Sequence, residues 1–380
     1  MSGLYLTSLT IERVRHLHDI EIPLSQDSRK ALILTGENGS GKTSVLVALE
    51  DFLGDRIGGF RSNFEDNLDE YGKRILRVTA TCTSIKEMKR AYADGAFILA
   101  CFADTRKFQA LIPERISKVT FQPRYAMTDN PSYEFVGFLV NLKATQAFAI
   151  AKSDTEKAEE IELWFQRFEE ILRQLYEDTS LTLDFNVDTF EFTIHTSNRE
   201  PFDFNTMAMG YSAVFQVIGD LMMRMEAKAK GRYDLEGIAL IDEIETHLHV
   251  ELQKKIVPIL MGLFPNIQFV LTTHSPFILN SAQNAVVYDL EKRILVADGL
   301  TNLPYDGIVE GYFGANLLSQ ELDEKFRQYV ALTEKQDLSD VDYVKIEELE
   351  MYLDEVPDYL AVKWKAEYNR RKLDFSVRGE

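Results

Sequence analysis

The feature that most constrains the fold of this 380-residue chain is a glycine-rich segment near its beginning. The segment "GENGSGKT", residues 36–43, follows the apolar run "ALILT" and precedes the run "SVLVALEDFL". A loop of the form Gly-x4-Gly-Lys-Thr between a strand and a helix is typical of a phosphate-binding loop, because glycines let backbone N–H groups turn toward phosphate oxygens. The same letters could form a plain glycine turn, but the flanking strand and helix favour the phosphate loop.

Each polar position of this loop has an expected role in holding ATP. Lys42 would reach the β- and γ-phosphates, and the hydroxyl of Thr43 would ligate Mg²⁺. The remaining candidates would contact phosphate through the backbone or a side chain, and they are Gly36, Asn38, Gly39, Ser40, Gly41 and Ser44.

A second run, "GIALIDE", places two carboxylates at the end of an apolar strand. Asp242 and Glu243 would emerge at its carboxyl end, which is the edge where parallel sheets bind ligands. Asp242 would hold Mg²⁺ through water, and Glu243 would polarise the attacking water. Alone, the pair could equally be a solvated acidic turn, but its combination with a phosphate loop favours the catalytic interpretation.

A histidine ends the next apolar run, "VLTTHSPFIL". His274 could donate a hydrogen bond to the γ-phosphate and sense its loss, although a histidine after a strand is more often a capping or packing residue. His247 and His249 in "ETHLHVELQ" raise the alternative of a metal cluster with His274. Their spacing matches no common zinc pattern, so we interpret them as part of a loop and helix start beside the nucleotide.

Alternating strand and helix patterns predict an α/β fold with a parallel sheet. Residues 1–55 and 200–300 are predicted to form the nucleotide-binding core. Residues 56–199 are predicted to be an insertion within that core, containing a helix over residues 154–176 and a β-hairpin. A further helix is predicted over residues 250–263.

The remaining residues, 301–380, are predicted to form a helical tail. The tail is acidic in its first part, which usually indicates a solvated helical face, but its apolar positions, such as Phe326, Tyr329, Leu349 and Tyr352, could dock a partner. The segment "SDVDY" has the letters of a metal-binding acidic motif, but its polar context predicts a solvated turn.

Charge and cysteine content restrict the partners and the compartment. A formal net charge of -19 argues against holding nucleic acid by bulk electrostatics, because a DNA binder needs Lys and Arg to displace counterions. Any nucleic acid would then be bound locally or through a partner. Two cysteines are too few for a disulfide framework, and the sequence shows neither a signal peptide nor a membrane span, so we expect a cytoplasmic protein without membrane contact.

The order of these segments resembles that of ABC-type ATPases. In "FNTMAMGYSAVFQ", the letters "MAMGY" fall where that family carries its Leu-Ser-x-Gly signature. The resemblance implies a P-loop NTPase of ABC-ATPase type, with a mixed sheet core, an antiparallel β subdomain and a helical insertion. It also implies a homodimer, or a higher even-numbered oligomer, in which Ala208, Met209, Gly210 and Tyr211 cap the γ-phosphate held by the other subunit. Gly210 would let the helix N-terminus approach that phosphate closely.

The segments "GYSAVFQVIGDLMMRME", "LIDEIETHLHVELQKKI" and "FPNIQFVLTTHSPFILNS" narrow the resemblance. They look like the standalone ATPases of the SMC, RecF and OLD-related branch, and most like the PtuA-type ATPases of the Septu and retron anti-phage systems. The resemblance implies a nucleotide-gated regulator of an effector, such as an HNH nuclease or another toxin. Two alternatives stay open: a DNA repair ATPase, which commonly has longer coiled-coil arms, and the nucleotide-binding subunit of a transporter.

Two departures from the family pattern matter. Ala208 stands where serine is usual, so a side-chain hydroxyl for the γ-phosphate is missing unless Thr206 or Ser212 replaces it. A hydrogen bond to a charged group is worth roughly 1.5 to 3 kcal/mol, so we expect weaker ATP-dependent closure and slow hydrolysis. The glutamine that contacts Mg²⁺ in this family could be Gln122 or Gln146.

Overall fold

Runs of buried aliphatic residues form the strands that organise this chain. A computed structural model describes residues 3–59, 76–301, 307–308, 319–335, 337–356 and 362–378. The strands are β1 (Leu6–Val14), β2 (Leu17–Pro23), β3 (Ala31–Thr35), β4 (Arg77–Cys82), β5 (Phe97–Phe102), β6 (Thr182–Phe185), β7 (Phe192–Thr196), β8 (Arg199–Asp203), β9 (Glu236–Ile241), β10 (Ile267–Thr272), β11 (Ala285–Asp289) and β12 (Ile294–Val296).

The helices of the described residues cover most of the chain between these strands. They are α1 (Lys42–Leu53), α2 (Ile85–Ala93), α3 (Phe135–Ala151), α4 (Thr155–Tyr176), α5 (Met209–Ala229), α6 (Val250–Gln253), α7 (Ile256–Leu263), α8 (Pro276–Ser281), α9 (Gln320–Thr333), α10 (Asp340–Asp354) and α11 (Val362–Arg378). A short π-helix (Gly54–Gly58) extends α1, and a 3-10 turn (Pro131–Glu134) leads into α3. Among the described residues, no helix combines the length and the apolar composition that a membrane span requires.

The central sheet brings the predicted site segments to one edge. Within the described residues its strand order is β12-β11-β3-β10-β9-β5, and the strands from β11 to β5 run parallel. Every residue of β3 and β10 is buried, as expected for a parallel sheet covered on both faces. Because β3, β10 and β9 are neighbours, the phosphate loop, the histidine and the acidic pair leave the sheet at the same edge. The predicted fold class, an α/β fold with a helical tail, is confirmed.

The range predicted as an insertion contributes to the core sheets. β4 pairs antiparallel with β1 in the sheet β2-β1-β4, and β5 pairs in parallel with β9 at the edge of the central sheet. Strand pairing between segments far apart in the sequence has no local signature. The limits 1–55, 56–199 and 200–300 therefore stay a prediction, while the core itself reaches into the middle range.

Residues 135–203 form a helical hairpin and a small antiparallel sheet. α3 and α4 pack against each other, and β6, β7 and β8 follow in that order. The predicted helix over residues 154–176 is present as α4, whose N-cap Asp154 accepts a hydrogen bond from the Lys157 N–H. Phenylalanines at positions 108, 135, 168, 204 and 215 pack edge-on and stacked between these elements and α5.

The predicted helix over residues 250–263 is wrong in one respect, because the structure divides it into α6 and α7. Pro258 lies in the first turn of α7. Proline has no N–H to donate to the carbonyl four residues earlier, and its ring clashes with that carbonyl, so one continuous helix is disfavoured.

The chain divides into two compact units, Met1–Leu303 and Pro304–Glu380. In the second unit, α9, α10 and α11 enclose their own core. Tyr329 and Leu349, predicted as partner-docking positions, are buried in that core, so the docking hypothesis is wrong for these two residues. The segment "SDVDY" is also a correction: Ser339 and Asp342 form a capping box that starts α10, because each side chain accepts the other's backbone N–H.

A buried arginine links α5 to β5 and to the segment around Ala126. Arg224 on α5 pairs with Asp220 and donates hydrogen bonds to the carbonyls of Leu99 and Ala126, at 3.1 and 2.8 Å. We expect Arg224→Ala to lower the free energy of unfolding by about 3–5 kcal/mol, because the variant leaves a buried carboxylate unpaired. Urea denaturation measures this loss. The control Lys157→Ala breaks an exposed ion pair and is expected to cost less than about 1 kcal/mol; similar losses for both variants would contradict the prediction.

Candidate functional site

The structure joins most of the predicted site residues around one cavity of about 240 Å³ at the carboxyl edge of the central sheet. The cavity is lined by Arg15, Asn38, Gly39, Gly41, Lys42, Thr43, Ser44, Glu243 and His274. These residues come from the turn between β1 and β2, the loop after β3 with the start of α1, and the segments that follow β9 and β10. The same cavity therefore contains a phosphate-binding type of loop, a carboxylate and an imidazole.

The loop after β3 has a backbone conformation that requires glycine. Gly36, Gly39 and Gly41 have φ values of 140°, 84° and 99°. A Cβ on Gly36 would lie 2.8 Å from Ser40 Oγ. Gly41 stands at the N-cap of α1 and has no side chain to bond the first N–H groups of the helix. Those N–H groups therefore suit a phosphate, which would bring negative charge to the positive end of the helix dipole.

Lys42 lies at the centre of this loop. Its Nζ donates hydrogen bonds to the carbonyl oxygens of Gly36 and Glu37, both at 3.0 Å. Burial lowers the pKa of Lys42, while the nearby carboxylates, first among them that of Glu243, act in the opposite direction. The ammonium group is thus placed where it can donate to a phosphate bound in the loop.

Thr272 at the end of β10 positions the acidic pair. Its hydroxyl donates to Asp242 Oδ1 and accepts the Glu243 N–H at 2.7 Å. Asp242 is buried, and Glu243 is half-buried and lines the cavity. Glu243 also has φ 43°. A left-handed backbone at a residue other than glycine costs on the order of 1–3 kcal/mol and is concentrated at functional sites.

His274 lines the cavity and does not cap the following helix. Ser275 takes the N-cap position of α8, where its Oγ accepts the N–H groups of Phe277 and Ile278. The backbone N–H of His274 donates a hydrogen bond to Glu245 Oε1. This contact connects the end of β10 to the loop after β9. The geometry therefore leaves the imidazole on the side of the phosphate loop.

The segment 208–211 does not line the cavity of the phosphate loop. Ala208, Gly210 and Tyr211 line a separate cavity of about 330 Å³ together with Arg199, His247 and His249. Ala208 is the N-cap of α5, and its methyl group cannot accept the free N–H groups of that helix. Met209 is 56% exposed. This helix start is thus open to a ligand, yet in the described structure of one chain it does not share the cavity of the phosphate loop.

Gly210 has a structural reason that sequence reasoning missed. A Cβ there would lie 2.6 Å from the carbonyl oxygen of His247, so glycine permits the close packing of α5 on the loop after β9. Tyr211 stacks on Tyr176 of α4 with ring centroids 4.1 Å apart, and the Arg199 guanidinium lies 5.1 Å from the Tyr211 ring centroid. These contacts pack the first turn of α5 against α4 and the loop after β9.

Neither hydroxyl considered as a replacement for the missing serine is free for that role. Ser212 is buried, and its hydroxyl accepts a hydrogen bond from the Phe108 N–H at 3.0 Å and donates one to the Phe108 carbonyl at 3.5 Å. The Thr206 hydroxyl accepts a hydrogen bond from the Asp203 N–H at 3.0 Å and donates one to the Asp203 carbonyl at 3.3 Å. Ala208 therefore leaves this segment dependent on backbone N–H groups for any phosphate contact.

The three histidines considered as a metal cluster line two different cavities. His274 lines the first cavity, whereas His247 and His249 line the second. Within the described residues, no group of three or more His, Cys, Asp and Glu side chains could hold a metal ion. A Mg²⁺ ion at Thr43 and Asp242 would take its other ligands from nucleotide and water.

Neither glutamine candidate is among the residues that line the first cavity. Gln146 lies in α3 and donates to Glu162 of α4, and the backbone N–H of Gln122 donates to the Tyr125 hydroxyl.

Arg15 lines the cavity of the phosphate loop and was not predicted from the sequence. It lies in the turn between β1 and β2 with φ 54°, and only the folded chain brings that turn beside the phosphate loop.

Two family models and several curated proteins are similar to parts of this chain. The family described as "AAA domain, putative AbiEii toxin, Type IV TA system" matches residues 105–280, and a second family described as "AAA domain" matches residues 8–176. The Septu protein PtuA of Bacillus thuringiensis is 34% identical over 100 residues, which are 25% of this chain and 25% of that protein. The retron Vc95 probable ATPase of Vibrio cholerae serotype O1 biovar El Tor is 32% identical over 118 residues, covering 30% and 23%.

The chain is also similar to more distant proteins. The DNA replication and repair protein RecF of Rickettsia prowazekii (strain Madrid E) is 41% identical over 63 residues, 17% of this chain and 16% of RecF. The solved Smc head domain with an extended coiled coil from Pyrococcus furiosus, bound to the C-terminal domain of ScpA, matches 81% of this chain and 99% of its own at 13% identity and a TM-score of 0.42. The aligned parts span a quarter or less of each of these curated relatives. The predicted resemblance to this branch of ABC-type ATPases is confirmed.

Proposed function

We propose that this chain, an ABC-type ATPase similar to the Septu PtuA and retron ATPases, binds ATP with Mg²⁺ and hydrolyses it slowly at the cavity after β3. The observation that carries the proposal is the convergence of the loop 36–44, Glu243 and His274 on one cavity. A phosphate cradle alone would support binding. A carboxylate and an imidazole facing that cradle add the groups that hydrolysis requires.

Each group would act through its own chemistry. Lys42 would neutralise the β- and γ-phosphates, while Gly39, Gly41 and the first N–H groups of α1 surround the phosphate oxygens. Thr43 would ligate Mg²⁺ directly, and Asp242, oriented by Thr272, would hold it through water. A bound Mg²⁺ would neutralise charge that develops on the phosphates.

The hydrolytic step would depend on Glu243 and His274. Glu243 would accept a hydrogen bond from the attacking water and polarise it. His274, from the neighbouring strand, would donate to the γ-phosphate and report its release to the loop after β9 through the Glu245 contact.

The segment 208–211 would act on the nucleotide of a second subunit. In one chain this segment lines a different cavity from the phosphate loop, so a contact with a phosphate would come from a homodimer or a larger even-numbered oligomer. Its uncapped N–H groups and the positive end of α5 would supply the polarity. Because Ala208 adds no hydroxyl, we expect closure to be weaker than with serine.

The biological role we propose is a nucleotide-gated scaffold for an effector in cytoplasmic anti-phage defence. The similarity to proteins named for the Septu and retron systems supports this role. The effector would be an HNH nuclease or another toxin. With a net charge of -19, the chain would leave most nucleic-acid contacts to that partner.

The second candidate is a DNA repair ATPase, which the 41% identity with RecF over 63 residues favours. Affinity purification of the tagged chain from its host, with the neighbouring genes intact, separates the two. A nuclease or toxin in stoichiometric amount would support the gated scaffold. DNA ends or repair proteins without such an effector would favour the repair function. The same purification with the Lys42→Ala variant is the control. Because this variant should not bind nucleotide, partners that co-purify only with the wild type depend on the ATP-bound form.

Restoring the missing hydroxyl provides a test of the segment 208–211. We expect Ala208→Ser to raise the ATP-dependent dimer fraction or the turnover about tenfold, because a hydrogen bond to phosphate is worth roughly 1.5 to 3 kcal/mol. The change is measured by light scattering and phosphate release with and without ATP. Serine would also cap α5 and raise stability by about 1 kcal/mol, but that gain needs no ATP. If neither turnover nor ATP-dependent association changes, the role of this segment is refuted; Ala151→Ser is the surface control.

A further inference from the structure

A buried arginine outside the predicted motifs contacts the backbone of the acidic loop. Arg106 follows β5 and is 8% exposed. Its guanidinium donates hydrogen bonds to the carbonyl oxygens of Asp242, Glu243 and Ile244, at 2.7, 2.9 and 2.9 Å. A fourth bond, to the carbonyl of Ala103, anchors the arginine to its own strand end. One side chain thus bonds three consecutive carbonyls of the segment that carries Asp242 and Glu243.

These carbonyls need such a donor because of the backbone conformation of Glu243. Glu243 has φ 43°, and the carbonyl oxygens on both sides of this left-handed residue accept hydrogen bonds from the same guanidinium. The planar guanidinium offers several N–H donors in a fixed fork, whereas a lysine ammonium is a point donor on a flexible stem. Only arginine can therefore bond all three carbonyls while remaining tied to Ala103.

The backbone N–H groups of the same segment donate to residues at the ends of neighbouring strands. The Asp242 N–H donates to the Phe102 carbonyl at 2.9 Å, and the Glu243 N–H donates to Thr272 Oγ1 at 2.7 Å. On the carbonyl side, Arg106 donates to all three oxygens, and the Glu243 carbonyl also accepts a hydrogen bond from the Thr246 N–H at 2.9 Å. Each peptide group around Glu243 is consequently fixed on both sides, which determines where the Glu243 side chain enters the cavity.

The charge of Arg106 is maintained despite its burial. Burial lowers its pKa to about 10, while neighbouring carboxylates, first Glu245 and then Asp242, act to raise it. The guanidinium is therefore protonated at neutral pH. A cation held beneath this acidic loop also offsets the mutual repulsion of its carboxylates.

We propose that Arg106 is a positioning residue for hydrolysis: it holds the left-handed turn at Glu243 and so places the carboxylate against the attacking water. This inference rests on the proposed ATPase function. Arg106 does not line the cavity of the phosphate loop, and its hydrogen bonds go to backbone carbonyls of residues 103 and 242–244, so it controls the rate of hydrolysis rather than nucleotide affinity.

Arg106→Lys tests the proposal because it keeps the charge and removes the fork. We expect kcat for ATP hydrolysis to fall about a hundredfold, since a displacement of about 1 Å of a catalytic group costs that much. The Kd for ATP with Mg²⁺, measured by fluorescence titration, should stay within about threefold. Amide hydrogen exchange of residues 243–246 should accelerate. In a Glu243→Gln background the Arg106→Lys change should have no further effect on hydrolysis.

Arg224→Lys is the matched control, because Arg224 is also buried, at 4% exposed against 8% for Arg106, and also donates hydrogen bonds to backbone carbonyls, those of Leu99 and Ala126. Arg224→Lys should lower the free energy of unfolding as much as Arg106→Lys does. It should not, however, lower kcat selectively while Kd for ATP stays unchanged. The positioning role would be overturned if Arg106→Lys left kcat unchanged. It would also be overturned if Arg106→Lys and Arg224→Lys lowered kcat by the same factor. A wild-type chain that hydrolyses no ATP would overturn the proposed function itself, and with it this inference.

Discussion

Replacing Lys42 by alanine is expected to weaken ATP binding by at least about a hundredfold. The Nζ of Lys42 lies inside the phosphate loop, bonded to the carbonyls of Gly36 and Glu37, and would exchange these partners for phosphate oxygens. Two charged hydrogen bonds worth about 1.5–3 kcal/mol each account for that factor. Equilibrium titration with a fluorescent ATP analogue and Mg²⁺ measures the Kd.

The controls for Lys42→Ala separate lost binding from lost folding. Lys157→Ala removes an exposed ammonium group on α4 and should bind ATP as the wild type does. Denaturation of Lys42→Ala shows whether the loop substitution disturbs the fold, since the variant also loses its bonds to two backbone carbonyls. A folded Lys42→Ala protein with unchanged ATP affinity would rule out this loop as the phosphate site.

The Glu243→Gln variant is expected to bind ATP normally and to hydrolyse it about 10²–10⁴-fold more slowly. Glutamine keeps the size of the side chain and its contact with Thr246, but it cannot accept a proton from water. With hydrolysis blocked, ATP should hold two subunits together. Single-turnover phosphate release and light scattering of the ATP-bound sample measure the two effects.

A matched substitution on the surface completes this test. Glu160→Gln changes a carboxylate on α4 that is 60% exposed and pairs with Lys157, and it should leave both hydrolysis and association unchanged. If Glu243→Gln retains wild-type hydrolysis, the attacking water is activated by another group, and Glu243 has only a structural role in the turn.

Local sequence patterns predict the part of the site that is built from short segments. The runs before Gly36, Asp242 and His274 are continuous and apolar, and each is a buried strand of one parallel sheet. Because parallel strands end at one edge, three separate motifs could be assigned to one site without knowledge of their contacts. Eight of the nine residues that line the cavity are predicted site residues, and Arg15 is the exception. The predicted residues Gly36, Ser40 and Asp242 are not among the lining residues.

Residues that depend on long-range contacts could not be predicted in this way. Arg106 bonds carbonyls more than a hundred residues away, and nothing in "FADTRKFQ" marks it as buried. The reason for Gly210 lies in the His247 carbonyl, which only the folded chain brings near. β5 was hidden in a predicted insertion for the same reason, since its pairing with β9 is a property of the whole sheet.

The most direct test of the central claim is a structure of the Glu243→Gln variant with ATP and Mg²⁺. We predict the phosphates in the loop 36–44, Mg²⁺ beside Thr43 and Asp242, and the γ-phosphate between His274 and residues 208–211 of a second copy of the chain. A nucleotide bound away from this loop would contradict the account. So would a γ-phosphate that no second copy approaches.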